Sequence, residues 1–150
     1  MPNFIIPIEI QHREIHAACI LALEALKKGW TVYMGQKQQI WPFIKYFPNS
    51  FFYLKSIVPG EVENLKKIKS NGHSISTLDI EGLILSNGDF GVYKRYSNLS
   101  LDLADIVFFW GKKSHYYPVL SCFPKIKNKA VISGSPVVDS WNIAKKKYLH

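Results

Sequence analysis

Asp79 and Glu81 stand in the run Leu78-Asp79-Ile80-Glu81-Gly82-Leu83, directly after His73-Ser74-Ile75-Ser76-Thr77-Leu78. The preceding stretch is rich in β-branched residues and follows a turn at Asn71-Gly72, so it reads as a strand. If the chain stays extended past Leu78, residues two apart point to the same side. Both acids then face one space at the carboxyl end of a strand, where open α/β sheets bind ligands. A carboxylate there can take a proton from a hydroxyl or attack as a nucleophile. Like-charge repulsion between two neighbouring acids raises the pKa of one of them, which suits it to proton transfer. The plainer alternative is that Glu81 caps a helix and Asp79 holds a loop.

Other groups of the right chemistry fall at similar places. Glu9, Arg13 and Glu14 lie where a first strand gives way to a helix, and an arginine beside helix N–H groups can hold an anionic sugar or a phosphate. They can equally be first-turn charges paired with one another. Gln36 and Lys37 follow the second strand and Lys55 the third, again at carboxyl ends. Gly82 follows the acids. Arg95 lies between Tyr93 and Tyr96 in the least regular part of the chain, a combination able to stack on and bond to sugars. Trp110 and Gly111 end the fifth strand, the tryptophan reading as core or as a sugar platform and the glycine permitting close backbone approach. Gly134 offers the same at the sixth strand, followed by Ser135. His12 can serve as a base at the first junction. With His16, His73 and His115 it forms no metal pattern, and neither cysteine adds one.

The elements that must position these groups alternate between strand and helix. Strands are expected at Phe4 to Ile10, weakened by Pro7, at Trp30 to Gly35, Phe51 to Lys55, His73 to Leu78, Ile106 to Gly111 and Ala130 to Gly134. Apolar residues Ile15, Cys19, Ala22 and Leu26 recur at helical spacing before the stop at Gly29. Further helices are expected over Gln38 to Phe47, Glu61 to Ser70 and Ser114 to Phe123. Ser86 to Ser100 reads as a loop with a short helix. The sum is a Rossmann-like α/β domain, a doubly wound and mostly parallel sheet of about six strands in a three-layer sandwich. It is expected to fill residues 1–140, with 141–150 a basic tail or the start of a second domain.

Composition agrees with one packed domain. The chain has 150 residues, 47% hydrophobic and 20% charged, enough to bury about 70% of its unfolded surface. No apolar run reaches membrane-spanning length, and Met1-Pro2-Asn3-Phe4 lacks the basic start of a signal peptide. Cys19 and Cys122 read as small core residues in a reducing cytoplasm. A net charge of +8 attracts anions: nucleic acid, acidic lipid or phosphorylated small molecules. The lysines are dispersed rather than gathered on one face, which argues against nucleic acid.

Three stretches together, Ile8-Glu9-Ile10-Gln11-His12-Arg13-Glu14, Gly35-Gln36-Lys37 and Gly72-His73 with Leu78 to Leu83, resemble the bacterial surface-carbohydrate biosynthesis proteins. Phe109-Trp110-Gly111 and Ser133-Gly134-Ser135-Pro136 with Asp139 add to the resemblance, which spans about 9 to 139. That family looks like glycosyltransferases of the two-Rossmann-domain (GT-B) type. The resemblance implies an acceptor-side N-terminal domain for capsule or lipopolysaccharide synthesis, with Asp79 and Glu81 catalytic. Together with the residue reading above, it sets Glu9, Arg13, Glu14, Gln36, Lys37, Lys55, Gly82, Arg95, Trp110, Gly111, Gly134 and Ser135 at the substrate, Lys55 and Arg95 by their chemistry and position alone. It implies no cofactor or metal in this chain, a nucleotide-sugar donor held by a separate C-terminal domain, and a glycan or lipid-linked acceptor. The setting implied is the cytoplasm or the inner face of the membrane, with little transfer by this half alone. Two positions depart from the family: Ile80 where a second acid would precede Glu81, and Gly134-Ser135-Pro136-Val137 where Gly-Asn-Pro-Arg is usual. The rival readings are a non-catalytic carbohydrate- or nucleotide-binding module, a nucleotide-sugar epimerase or a polyol-phosphate transferase.

Overall fold

A computed structural model describes residues 1–82 and 88–148, without the side chains of 147 and 148. Six strands form one sheet: β1 (Asn3–Ile8), β2 (Thr31–Gln36), β3 (Ser50–Leu54), β4 (Ser74–Leu78), β5 (Ile106–Phe109) and β6 (Ala130–Ile132). Their order is β2-β1-β3-β4-β5-β6, and every neighbouring pair is parallel. The fold is therefore the doubly wound α/β sandwich that the alternation of segments implies.

The period of two along the strands divides the core between the faces. Phe4, Ile6 and Ile8 of β1 pack with Ala18 and Ala22 of α1 (Gln11–Lys27). Ile5, Phe52, Leu54, Ile75, Val107 and Phe109 face the other way, into a larger cluster. That second face is covered by α2 (Lys37–Ile40), α3 (Val62–Ser70), α4 (Asp89–Arg95), α5 (Asn98–Leu103) and α6 (Tyr117–Cys122). The last helix, α7 (Pro136–Tyr148), packs against α1.

The helix boundaries have local causes. A 3₁₀ turn, Trp41–Tyr46, continues α2 and carries Pro42 at its start, so the expected helix over 38–47 is only partly α. Pro118 falls in the first turn of α6, where a missing N–H costs little, and the π-helical turn Lys112–Tyr116 precedes it. Pro7 lies inside β1, a central strand, but beyond Ile5, where the pairing with β3 ends. Its missing N–H is tolerated there.

Two expectations change. The stretch expected to be a loop with one short helix contains two helices, α4 and α5; Ser97 caps the second by accepting from the Ser100 N–H. Ser86 and Asn87 of that stretch, and Leu83 of the acidic motif, lie outside the described residues. The division at 140/141 falls inside α7, whose start is fixed by Ser135 and by Pro136 in its first position. Ser-Pro is a helix-start signal, so residues 141–148 continue a helix rather than beginning a tail. Among the described residues no helix is long and apolar enough to cross a membrane.

Candidate functional site

The chain does not stay extended beyond β4. The Glu81 N–H donates to Asp79 Oδ1 at 3.0 Å and the Gly82 N–H to the Asp79 carbonyl at 3.1 Å. This is an Asx-type turn, a conformation aspartate favours because its side chain replaces a backbone acceptor. The turn is tied to β3 by the Ile80 N–H, which donates to the Lys55 carbonyl at 3.1 Å, and to β5 by the Trp110 indole N–H, which donates to the Asp79 carbonyl at 2.7 Å.

Arginines, rather than strand alternation, bring the two acids together. The sequence contains only two, Arg13 and Arg95, and both reach Glu81. Arg13 Nη2 donates to Glu81 Oε1 at 2.5 Å, and Arg95 Nη1 donates to Oε2 at 2.9 Å. Arg95 also holds Asp79 in a two-pronged pair, its Nε donating to Oδ2 at 2.6 Å and its Nη2 to Oδ1. Asp79 is 1% exposed, and burial of such a pair is tolerated because the charges and lone pairs are matched. The hydrogen bond from Arg13, helped by the nearby Arg95 and Lys55 charges, holds the Glu81 carboxyl below the usual carboxylate range. That is opposite to the rise expected of a repelling pair, because each acid has a guanidinium beside it. Arg95 is raised in turn, first through its bond to Asp79.

Gly82 has a packing reason. A Cβ on it would stand 2.6 Å from Nε2 of His115, a fully buried ring. That nitrogen is 2.7 Å from the hydroxyl of buried Tyr96, while Nδ1 accepts the Trp110 N–H at 3.4 Å. Acceptance at Nδ1 places the proton on Nε2, which donates to the tyrosine. Burial, with the Arg95 charge nearby, pushes the His115 pKa down to about 4. The neutral ring thus wedges behind the turn that carries the acids.

A cleft of about 620 Å³ opens in front of this turn. Arg13, Glu81, Trp110 and Trp141 are among its walls, with His12 and His16 from α1 and Ser140 from α7. Its size is that of a small-molecule site, and aromatic walls with a few polar groups are the usual lining. Asp79 does not line it; it holds Arg95 and the turn.

Among the remaining candidates, Lys55 binds Glu9 at 2.7 Å and approaches Glu14 at 3.8 Å. Glu14 in turn accepts the N–H groups of Glu9 and Ile10, each at 2.9 Å, and so ties down the start of α1. Lys37 is paired with Glu61 at 2.8 Å and lies over the Trp41 ring. Gln36 is exposed at the end of β2. Arg95 and Tyr96 end a helix instead of lying in an open loop, and Tyr96 is core. Gly111 is extended beside Trp110, while Gly134 turns the chain with φ near +79°. Ser135 caps α7 through its hydroxyl, which accepts the Val137 N–H at 3.3 Å. These last three do not line the cleft.

The chain matches no family model, no curated protein and no solved structure. Its chemistry is therefore read from the cleft alone. The sequence does not single out Trp141 or His16, because their sharing one cleft depends on α7 lying against α1. The Ser-Pro helix start was the signal that could have found Trp141. Among the described residues no cluster of three metal-binding side chains occurs.

Proposed function

We propose that the cleft binds a sugar, and that the chain is the acceptor-side, Rossmann-like domain of a GT-B-like glycosyltransferase for bacterial surface polysaccharide. One observation carries the reading: two indoles, Trp110 and Trp141, share the cleft with Arg13 and Glu81 at the carboxyl edge of a parallel sheet. Indoles offer flat apolar faces to the C–H faces of a sugar ring, and charged groups at the edge bond its hydroxyls. Glu81, which lines the cleft, is the candidate base, with Asp79 as its positioning residue through Arg95. A nucleotide-sugar donor would be held by a second domain, and the work would be done in the cytoplasm or against acidic lipid drawn by the +8 charge.

A non-catalytic carbohydrate-binding module is the second reading. It is favoured by the two guanidinium groups on Glu81, which keep the carboxylate charged and its oxygens occupied. Titration of the purified chain with monosaccharides, followed by tryptophan fluorescence, tests what the readings share. A saturable change lost in Trp141→Ala supports both, and no response to any sugar at millimolar concentration overturns both. Transfer from a nucleotide sugar when the chain is combined with a donor-binding domain, abolished in Glu81→Gln, separates the enzyme from the module.

A further inference from the structure

Polar groups around the cleft are unequally committed. Arg95 is fixed by two bonds to buried Asp79 and one to Glu81. Arg13 makes a single side-chain bond among the described residues, to Glu81 Oε1, and its side chain is 40% exposed. A guanidinium has five N–H donors, so Arg13 keeps most of its capacity. The acceptor is the reverse: Glu81 has a guanidinium on each carboxylate oxygen. His12 and His16 stand on the same wall as Arg13. A ligand that fits is rich in acceptors, and the donor best able to move to it is Arg13.

We propose that the sugar in this cleft carries an anionic group, a carboxylate or a phosphate, which takes Arg13 from Glu81 and leaves Oε1 of Glu81 to accept a hydrogen bond from a ligand hydroxyl. The inference rests on the sugar reading above and adds the class of sugar and an exchange of partners. Glu81 keeps Arg95, so its carboxylate is not stranded when Arg13 leaves. Arg13 exchanges one anionic partner for another and offers a carboxylate or phosphate its planar, two-pronged face. The Trp110 and Trp141 rings hold the sugar itself.

The test compares glucose, glucuronate, glucose 6-phosphate and inorganic phosphate as ligands of the full chain. The expected result is that one of the two charged sugars binds about tenfold or more tighter than glucose, the gain of a charge-assisted, two-pronged bond. Which of them does so separates carboxylate from phosphate. Arg13→Gln should erase the advantage, so that the charged sugar binds no tighter than glucose to the same variant, and Arg13→Lys should keep part of it. Glu81→Gln should strengthen the charged sugar, because the competitor for Arg13 is neutralised; weaker binding overturns the exchange. Equal binding of charged and neutral sugars overturns the anion inference and leaves the sugar reading standing. Inorganic phosphate binding as tightly as glucose 6-phosphate, unchanged by Trp141→Ala, overturns the sugar reading and with it this inference.

Discussion

Two charge clusters lie side by side at the carboxyl edge of the sheet, one closed and one open. The first joins Glu9, Glu14 and Lys55 at the ends of β1 and β3, with Lys37 and Glu61 beside it. By topology this is the switch point, since α1 leaves β1 on one face and the α2 and α3 connections run on the other. Ligands are expected there, yet the spaces at this point measure only about 20 and 30 Å³. Lysines reaching between adjacent strand ends fill the crevice with their own ion pairs. The second cluster, Asp79, Glu81, Arg13 and Arg95, borders the cleft of about 620 Å³. There Arg95 folds onto the turn after β4, and α7 supplies a facing wall. Strand order marks the favourable edge, but the side chains decide which part of that edge has room.

The contrast predicts unequal consequences for removing one charge from each cluster. Asp79→Ala should be the most damaging, because it leaves Arg95 with only Glu81 and removes the acceptor that forms the turn. Breaking a buried pair from one side costs about 3 kcal/mol or more, whereas Glu9→Gln, whose carboxylate is half-exposed, should cost under about 1 kcal/mol. Urea unfolding of the two variants reads the difference directly. Equal costs would mean that the open cluster is no better anchored than the closed one.

Gly82→Ala attacks the same turn by volume alone. The new methyl would stand 2.6 Å from His115 Nε2, and a fully buried ring has little room to retreat. Overpacking of this kind costs about 1–3 kcal/mol. A matching loss of sugar binding would show that the wedge behind the turn sets the position of Glu81. Unchanged stability and binding would show that the ring moves freely and positions nothing.

Between pH 7 and pH 5, His115 also gives the open cluster a pH dependence that Glu61 does not give the closed one. Burial, then the Arg95 charge, holds the His115 pKa near 4, against an ordinary 6.5. Between those values the unfolded chain binds the extra proton and the folded one does not. The contribution is therefore whole above about pH 6.5 and is lost as pH falls toward 4. Between pH 7 and pH 5 the loss is about 2 kcal/mol. Glu81 and Glu61, held below the ordinary 4.5, keep their contributions in that window and lose them only at lower pH. Unfolding midpoints at the two pH values should differ clearly, and the difference should shrink in His115→Gln. A slope that survives the substitution would assign it to another group.

The sheet was legible in the sequence because its strands are short apolar or β-branched runs punctuated by Gly, Pro and Asn. The pairing of Asp79 with Glu81 was legible too, but for a different reason: strand alternation suggested it, and an Asx turn with Arg95 produces it. That arginine shows its chemistry in the sequence but not its element, because Gly91 and the tyrosines disguise a short helix. Its partner could not be read, since the contact spans the turn and α4 and depends on tertiary packing. The wall carrying Trp141 was hidden by the lysines after it, which read as a solvated tail although Ser135-Pro136 starts a helix.

The smallest expected effect tests the closed cluster by itself. Lys37→Met removes the ammonium that binds Glu61 at 2.8 Å but keeps most of the stem lying near Trp41. Burial raises the Glu61 pKa, and the hydrogen bonds from Lys37 and Asn64, with the nearby Lys55 charge, bring it below the ordinary value on balance. Lys55 and Asn64 remain in the variant, so Glu61 is not left alone, and the loss should be under about 1 kcal/mol in urea unfolding. Sugar binding should not change, because Lys37 does not line the large cleft. A loss of binding in Lys37→Met would move the ligand to the switch point, and a closed crevice would then have to open to receive it.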